Sequence, residues 1–172
     1  MKASKHILVS IFSILFFLSC GSDKKKEQEQ SQEIKINSPA KAEEKEEDNV
    51  ANIVITGDDL MKFNTKEIKA KSGQKVRLTL RHIGKLDIKV MGHNVVILKQ
   101  GVDAASFAAA AATASDNQYI PKDSEDFIVH TDLIGGGQTT SIEFDAPEAG
   151  TYTFLCSFPG HFAMMQGKFI VE

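Results

Sequence analysis

From Ala51 to the C-terminus the sequence alternates apolar and polar residues at period two, in short runs punctuated by glycine. "ANIVIT" (51–56), "KVRLTLR" (75–81), "HNVVIL" (93–98), "DFIVHT" (126–131), "TTSIEFD" (139–145), "TYTFLC" (151–156) and "KFIVE" (168–172) read as strands, because successive side chains of a strand point to opposite faces. Gly73, Gly84, Gly101, Gly135–Gly137, Gly150 and Gly160 lie between these runs. Short strands at this spacing predict an all-β antiparallel sandwich or barrel. One stretch breaks the pattern: "DAASFAAAAATAS" (103–115) has high helix propensity and predicts a single helix inserted between strands. No internal repeat is present.

The residues before this region have a different character. Lys2 and Lys5 precede an apolar run from Ile7 to Leu18, too short to span a bilayer comfortably, which is the pattern of a secretory signal. The run ends in "FFLSC", which resembles the lipobox of bacterial lipoproteins, so residues 1–19 are expected to be removed and Cys20 to carry lipid. Residues 21–50 hold six Lys and nine acidic residues with almost nothing to bury. They read as a charged flexible linker, with an r.m.s. span of roughly 30 Å for a coil of that length. Residues 51–172 form the folded domain. With 12 Lys+Arg against 14 Asp+Glu there, no basic surface is implied and nucleic acid is not an expected partner.

The chemistry is concentrated at the end of the chain. "CSFPGHFAMM" (156–165) holds one of two cysteines, one of five histidines and two of five methionines. With Cys20 assigned to lipid, Cys156 has no disulfide partner, and an unpaired cysteine in a secreted domain is either inert and buried or chemically active. Thiolate, imidazole and thioether together form a soft ligand set suited to copper. The trigonal arrangement of two His and one Cys with a distant axial Met needs a second histidine. His82, His93 and His130 are the candidates. His93 follows a glycine at the start of a strand, whereas structural roles are expected for His82 and His130.

The spacing Cys156-x4-His161-x3-Met165, together with "DDLMKFNT", "VMGHNVVIL", the Ala-rich insertion, "VHTDLIGGGQTTSIEFD" and "TFLCSFPGHFAMMQGKFIV", resembles the azurins, of the cupredoxin (type 1 blue copper) family. The resemblance runs in order across 51–172. It implies a Greek-key β-sandwich with a helical flap and one mononuclear type 1 copper. By that resemblance His93, Cys156 and His161 are in-plane ligands, Met165 the axial sulfur and the Gly92 carbonyl the opposite axial neighbour. Asn94 would tie the ligand loops together through Ser157, and Phe158 would pack there and offer its backbone N–H to the thiolate. Such outer contacts orient ligands and tune potential. Met61, Met91, Phe162, Ala163 and Met164 would form an apolar docking patch around His161, the exit for the electron.

Four ligands with no open equatorial position imply a carrier of single electrons and not an enzyme. From the family, the expected partners are redox proteins such as c-type cytochromes, a peroxidase, a nitrite reductase or a terminal oxidase, met in the periplasm or outer cell envelope by a membrane-anchored protein. A copper trafficking or storage role would use the same ligands, but the exposed Met- and His-rich runs common there are missing. A Cys156–His161 thiol enzyme lacks a recognisable orienting group and oxyanion hole. Zinc would accept Cys and two His but is poorly served by Met. Two departures from azurins stand out. The usual disulfide near the domain start has no cysteines here, and Val95 stands where a core indole is common.

Overall fold

The structure, a computed structural model, describes residues 49–172. The expected signal segment, Cys20 and nearly all of the linker lie outside the described residues. Eight strands build two sheets: β1 (Val50–Gly57), β2 (Glu67–Ala70), β3 (Lys75–His82), β4 (Val96–Leu98), β5 (Phe127–His130), β6 (Thr139–Asp145), β7 (Gly150–Leu155) and β8 (Gln166–Val171). One sheet has the order β1-β3-β6 and the other β2-β8-β7-β4-β5. The sandwich is mixed and not purely antiparallel: β1 pairs with β3, and β2 with β8, in parallel. Both parallel pairs involve the N-terminal strands, whose partners arrive from elsewhere in the chain and not across a hairpin.

Alternation sets the inward faces. In β3, Val76, Leu78 and Leu80 are fully buried while Lys75, Arg77 and Arg81 face outward. In β7 the same phase carries Tyr152, Phe154 and then Cys156 inward. These residues meet Ile55, Ile68, Phe169 and Val171 in one core between the sheets. Burying each such aliphatic or aromatic side chain contributes roughly 1.5–3 kcal/mol. Val95 is fully buried in the same cluster.

β4 departs from the pattern because it is buried on both faces. Ile97 joins the main core, while Val96 and Leu98 join Leu155 in a second cluster with Phe107, Ala111 and Ile120. The cover is the Ala-rich insertion: helix α2 (Ala104–Ala112) starts at Asp103, whose carboxylate accepts from Ser106 N–H at 2.8 Å, an N-cap that satisfies a donor the helix cannot. Its small residues let it lie close to the sheet, with Phe107, Ala108 and Ala111 turned in. The helix is shorter than the 103–115 stretch, which continues as a 3-10 turn at Ser115–Asn117. A four-residue helix, α1 (Ile88–Met91), precedes the glycine–histidine pair. The strand expected over 93–98 is confined to Val96–Leu98. His93 sits before it in an isolated bridge to Ile134, with both backbone hydrogen bonds at 2.9 Å.

Candidate metal centre

Three side chains converge at one end of the sandwich. One ligand atom each from His93, Cys156 and His161 lies within 4.8 Å of the others, and all three residues are buried. Cys156 arrives from β7 by the inward phase of that strand. His161 returns to it through the turn Phe158–Gly160, in which Gly160 takes φ +83°, a left-handed conformation that suits glycine. His161 Nδ1 ends 3.7 Å from Cys156 Sγ, which also lies 3.9 Å from the Gly92 carbonyl oxygen.

His93 comes from the other direction, held by its bridge to Ile134. Its Nε2 bonds to the Asp58 carbonyl at 2.9 Å. A carbonyl only accepts, so Nε2 carries the proton and Nδ1 presents a lone pair. That Nδ1 is the one buried side-chain nitrogen or oxygen among the described residues that has no hydrogen-bond partner. Buried polar atoms are almost always satisfied, so an orphaned imidazole lone pair beside a buried thiol and a second imidazole fits a site that a metal cation would complete. Gly57 makes room for the ring: a Cβ there would fall 2.6 Å from His93 Cδ2. The donor set of two neutral imidazoles and a sulfur fits a soft or borderline metal such as copper.

The electrostatics of the pocket agree. Burial is the main force holding His161 down to a pKa of about 4, with the charges of His93 and His82 adding to it. His93 is also lowered, chiefly by burial, although its bond to Asp58 opposes the shift. Burial raises the Cys156 thiol to about 11, against a smaller pull from the backbone amides of Asn94 and Phe158. At neutral pH the pocket therefore holds two neutral imidazoles ready to ligate and one protonated thiol.

The surroundings fix these groups. Asn94 Nδ2 donates to Ser157 Oγ at 2.8 Å and Asn94 Oδ1 accepts from Ser157 N–H at 2.9 Å, so the two ligand segments are joined by a buried pair of bonds. The Phe158 ring lies 4.7 Å from that of His161 and 5.0 Å from that of Tyr119. Met165 is fully buried; its N–H donates to His161 O and its carbonyl accepts from Cys156 N–H. Met164, by contrast, is 44% exposed. Met61, Met91 and Phe162 are half-buried and Ala163 is exposed.

His82 has a larger part than sequence reasoning gave it. Its ring stacks on His93 at 4.3 Å and 13°, with Nδ1 accepting from Gly84 N–H and Nε2 bonded to the Met91 carbonyl. Both ring nitrogens are thus engaged, and His82 acts as a wall behind the ligand, not as a ligand. The signal was present: His82 continues the inward phase of Val76, Leu78 and Leu80. His130 lies apart, against Phe127. Cys156 is a free, buried cysteine and no other cysteine lies among the described residues.

A two-sheet β-sandwich with a buried Cys-His-His trio at one end defines a small single-site metalloprotein of cupredoxin type. A family model described as copper binding proteins, plastocyanin/azurin family, matches residues 49–172, and the chain belongs to that family. Azurin-1 of Alcaligenes xylosoxydans xylosoxydans is 44% identical over 117 residues, spanning 66% of this chain and 91% of the relative. Outer membrane protein H.8 of Neisseria gonorrhoeae is 38% identical over 117 residues, spanning 66% of this chain and 63% of the relative. Auracyanin A, a "blue" copper protein from Chloroflexus aurantiacus, superposes with a TM-score of 0.65 at 31% identity, over 72% of this chain and 99% of its own. The family's cofactor is one type 1 copper, and its members are electron carriers.

Proposed function

We propose that this protein shuttles single electrons between redox proteins outside the cytoplasm while tethered to a membrane through Cys20. The observation that carries the reading is the buried trio and its tautomer: His93 Nδ1, without a hydrogen-bond partner, lies with His161 Nδ1 and Cys156 Sγ in one cluster. Copper bound there supplies reversible one-electron cycling between Cu(I) and Cu(II). The chain's own residues do the rest. His93, Cys156 and His161 would hold the ion, with the buried Met165 and the Gly92 carbonyl as further donors beside it. The Asn94–Ser157 bonds keep the loops from shifting when the charge changes, and outer contacts of this kind set ligand orientation. Complete burial favours retention of copper over its delivery, which speaks for a carrier and against a trafficking protein.

His161, ringed by Met61, Met91, Phe162, Ala163 and Met164, is the exit for the electron, and the apolar ring suits brief docking. Reduced full-length protein is expected to pass electrons to a c-type cytochrome, and Met164→Lys to slow the reaction about tenfold, on the order of 1.4 kcal/mol, with the reduction potential unchanged. An unaltered rate would remove Met164 from the docking surface.

The tether rests on the lipobox-like "FFLSC" and on the presence of an outer membrane protein among the relatives. Among the described residues no helix is long and apolar enough to cross a membrane. Cells fed a labelled fatty acid are expected to label the wild-type chain and not Cys20→Ala. Equal labelling of both would remove the anchor.

A further inference from the structure

The loop between Cys156 and Met165 is tied to other parts of the chain near both of its ends. Its first residue, Ser157, is fixed by the buried pair of bonds to Asn94. At the other end, Cys156 N–H donates to Met165 O at 2.9 Å and closes the loop. His161 O accepts from Met164 N–H at 3.0 Å and from Met165 N–H at 2.8 Å, so these two bonds stay within the loop. The Met164 carbonyl does not: it accepts from Lys66 Nζ, 98 residues earlier in the chain.

Local bonds hold Lys66 where it can reach. Thr65 Oγ1 donates to Glu67 O at 2.7 Å and accepts from Glu67 N–H at 3.2 Å, a turn that brackets Lys66. Asn64 pins the same segment to β1: its N–H donates to Thr56 O at 3.0 Å and its Oδ1 accepts from Thr56 N–H at 2.8 Å. Lys66 O accepts from Lys168 N–H at 2.8 Å, where β2 begins to run beside β8. Gly167 permits that approach, since a Cβ there would fall 2.5 Å from Lys66 O and 2.4 Å from Phe154 Cζ. Backbone and side chain of Lys66 thus bond on either side of Met165, at Lys168 and at Met164. An ammonium donor on a carbonyl makes a charge-assisted bond, stronger than a neutral one. The N–H of the same peptide is that of Met165, so the pull on Met164 O reinforces the bond to His161 O, as hydrogen bonds in series do.

Resting on the electron-carrier reading, we propose that Lys66 is a positioning residue for the copper site. It latches the last residue of the loop, as Asn94 secures the first, and so holds Met165 to His161. Its charge also favours the less positive ion, Cu(I), over Cu(II). Lys66 touches no ligand side chain and acts through the Met164–Met165 peptide and through its field. Removing it loosens Met165 and lowers the reduction potential, whereas a lysine that merely covered the surface would affect neither.

Lys66→Met and Lys66→Arg in the full-length protein test this with two measurements. Amide hydrogen exchange is followed on the metal-free forms, so it reads the latch whether or not the copper-loaded protein turns blue, and failure of the electron-carrier reading is seen separately. Met165 N–H is expected to exchange about fivefold faster in Lys66→Met, the effect of losing one ordinary net hydrogen bond, with Leu78 N–H on β3 unchanged. The copper-loaded forms are then equilibrated with a redox dye. Lys66→Met is expected to shift the ratio of oxidised to reduced protein upward about threefold, the scale of an exposed charge, and by less at high salt, with the blue colour kept. Lys66→Arg, which retains both charge and donor, should match the wild type in both measurements. Unchanged Met165 exchange in Lys66→Met would overturn the proposal. So would an unchanged dye equilibrium, or a Lys66→Arg variant that behaves as Lys66→Met does.

Discussion

Copper added to the metal-free protein between about pH 6 and about pH 9 is expected to release one proton per ion, and Cys156→Ser to release none. The sign follows from the pocket. Burial raises the Cys156 thiol to about 11, so it is protonated throughout that window and must lose its proton to ligate. His161, at about 4, and His93, also lowered, are already neutral and contribute no protons. Apparent copper affinity should therefore rise about tenfold per pH unit across the window, steepen below the pKa of His161 and level off above that of Cys156. Serine cannot supply an anionic ligand here. Its copper affinity should fall by at least about a hundredfold, beyond the loss that follows removal of an outer contact. A pH-independent affinity in the wild type, or one proton still released by Cys156→Ser, would show that the thiol is not a ligand.

Phe169→Ala should have the largest effect on stability. Phe169 is fully buried on β8 and lies between sheets: its ring centroid is 6.1 Å from Phe144 on β6 and 6.2 Å from Tyr152 on β7. Removing it opens a cavity that β-strands pinned by neighbours on both sides cannot close. A loss of about 3–5 kcal/mol is expected, a drop in Tm of roughly 10–20 °C for a domain of this size. Among the described residues no disulfide constrains the unfolded chain, so little offsets this. Phe169→Leu, which keeps most of the volume, should lose under about 2 kcal/mol. Thermal unfolding of the metal-free forms reads both. A fall of less than about 3 °C for the alanine variant would mean that this part of the core is not what holds the two sheets together.

Much of the sandwich is legible in the sequence because alternation encodes faces. "TTSIEFD" coincides with β6, and β3 and β7 differ from their runs by a residue at one or both ends. What alternation does not encode is the partner of each strand. Nothing in "ANIVIT" says that β1 will lie parallel to β3, since that pairing is decided by which sheet closes best over the core. β2, "EIKA", is too short and too charged on its outer face to register as a run. β4 hides for the opposite reason: covered by α2 on one side and by the core on the other, it has no polar face left to alternate.

The site divides in the same way. Cys156 and His161 share one loop, and their spacing carries the resemblance to azurins. The structure brings His93 to them from a distant segment, while His130 stays away. The orphaned Nδ1 of His93 depends on a carbonyl at Asp58, thirty-five residues earlier, and no spacing rule points to it. His82 is the instructive case. Its place in the inward phase of β3 was visible, but its stacking on His93 requires the two loop ends to meet, which is a property of the assembled sandwich.

The most direct test of the central claim is the visible spectrum of the oxidised, copper-loaded full-length protein. A short bond between a thiolate and Cu(II) gives an intense blue colour, which the account predicts for the wild type and predicts to vanish in Cys156→Ser. A colourless copper-loaded wild type, or a blue colour that survives Cys156→Ser, would contradict it.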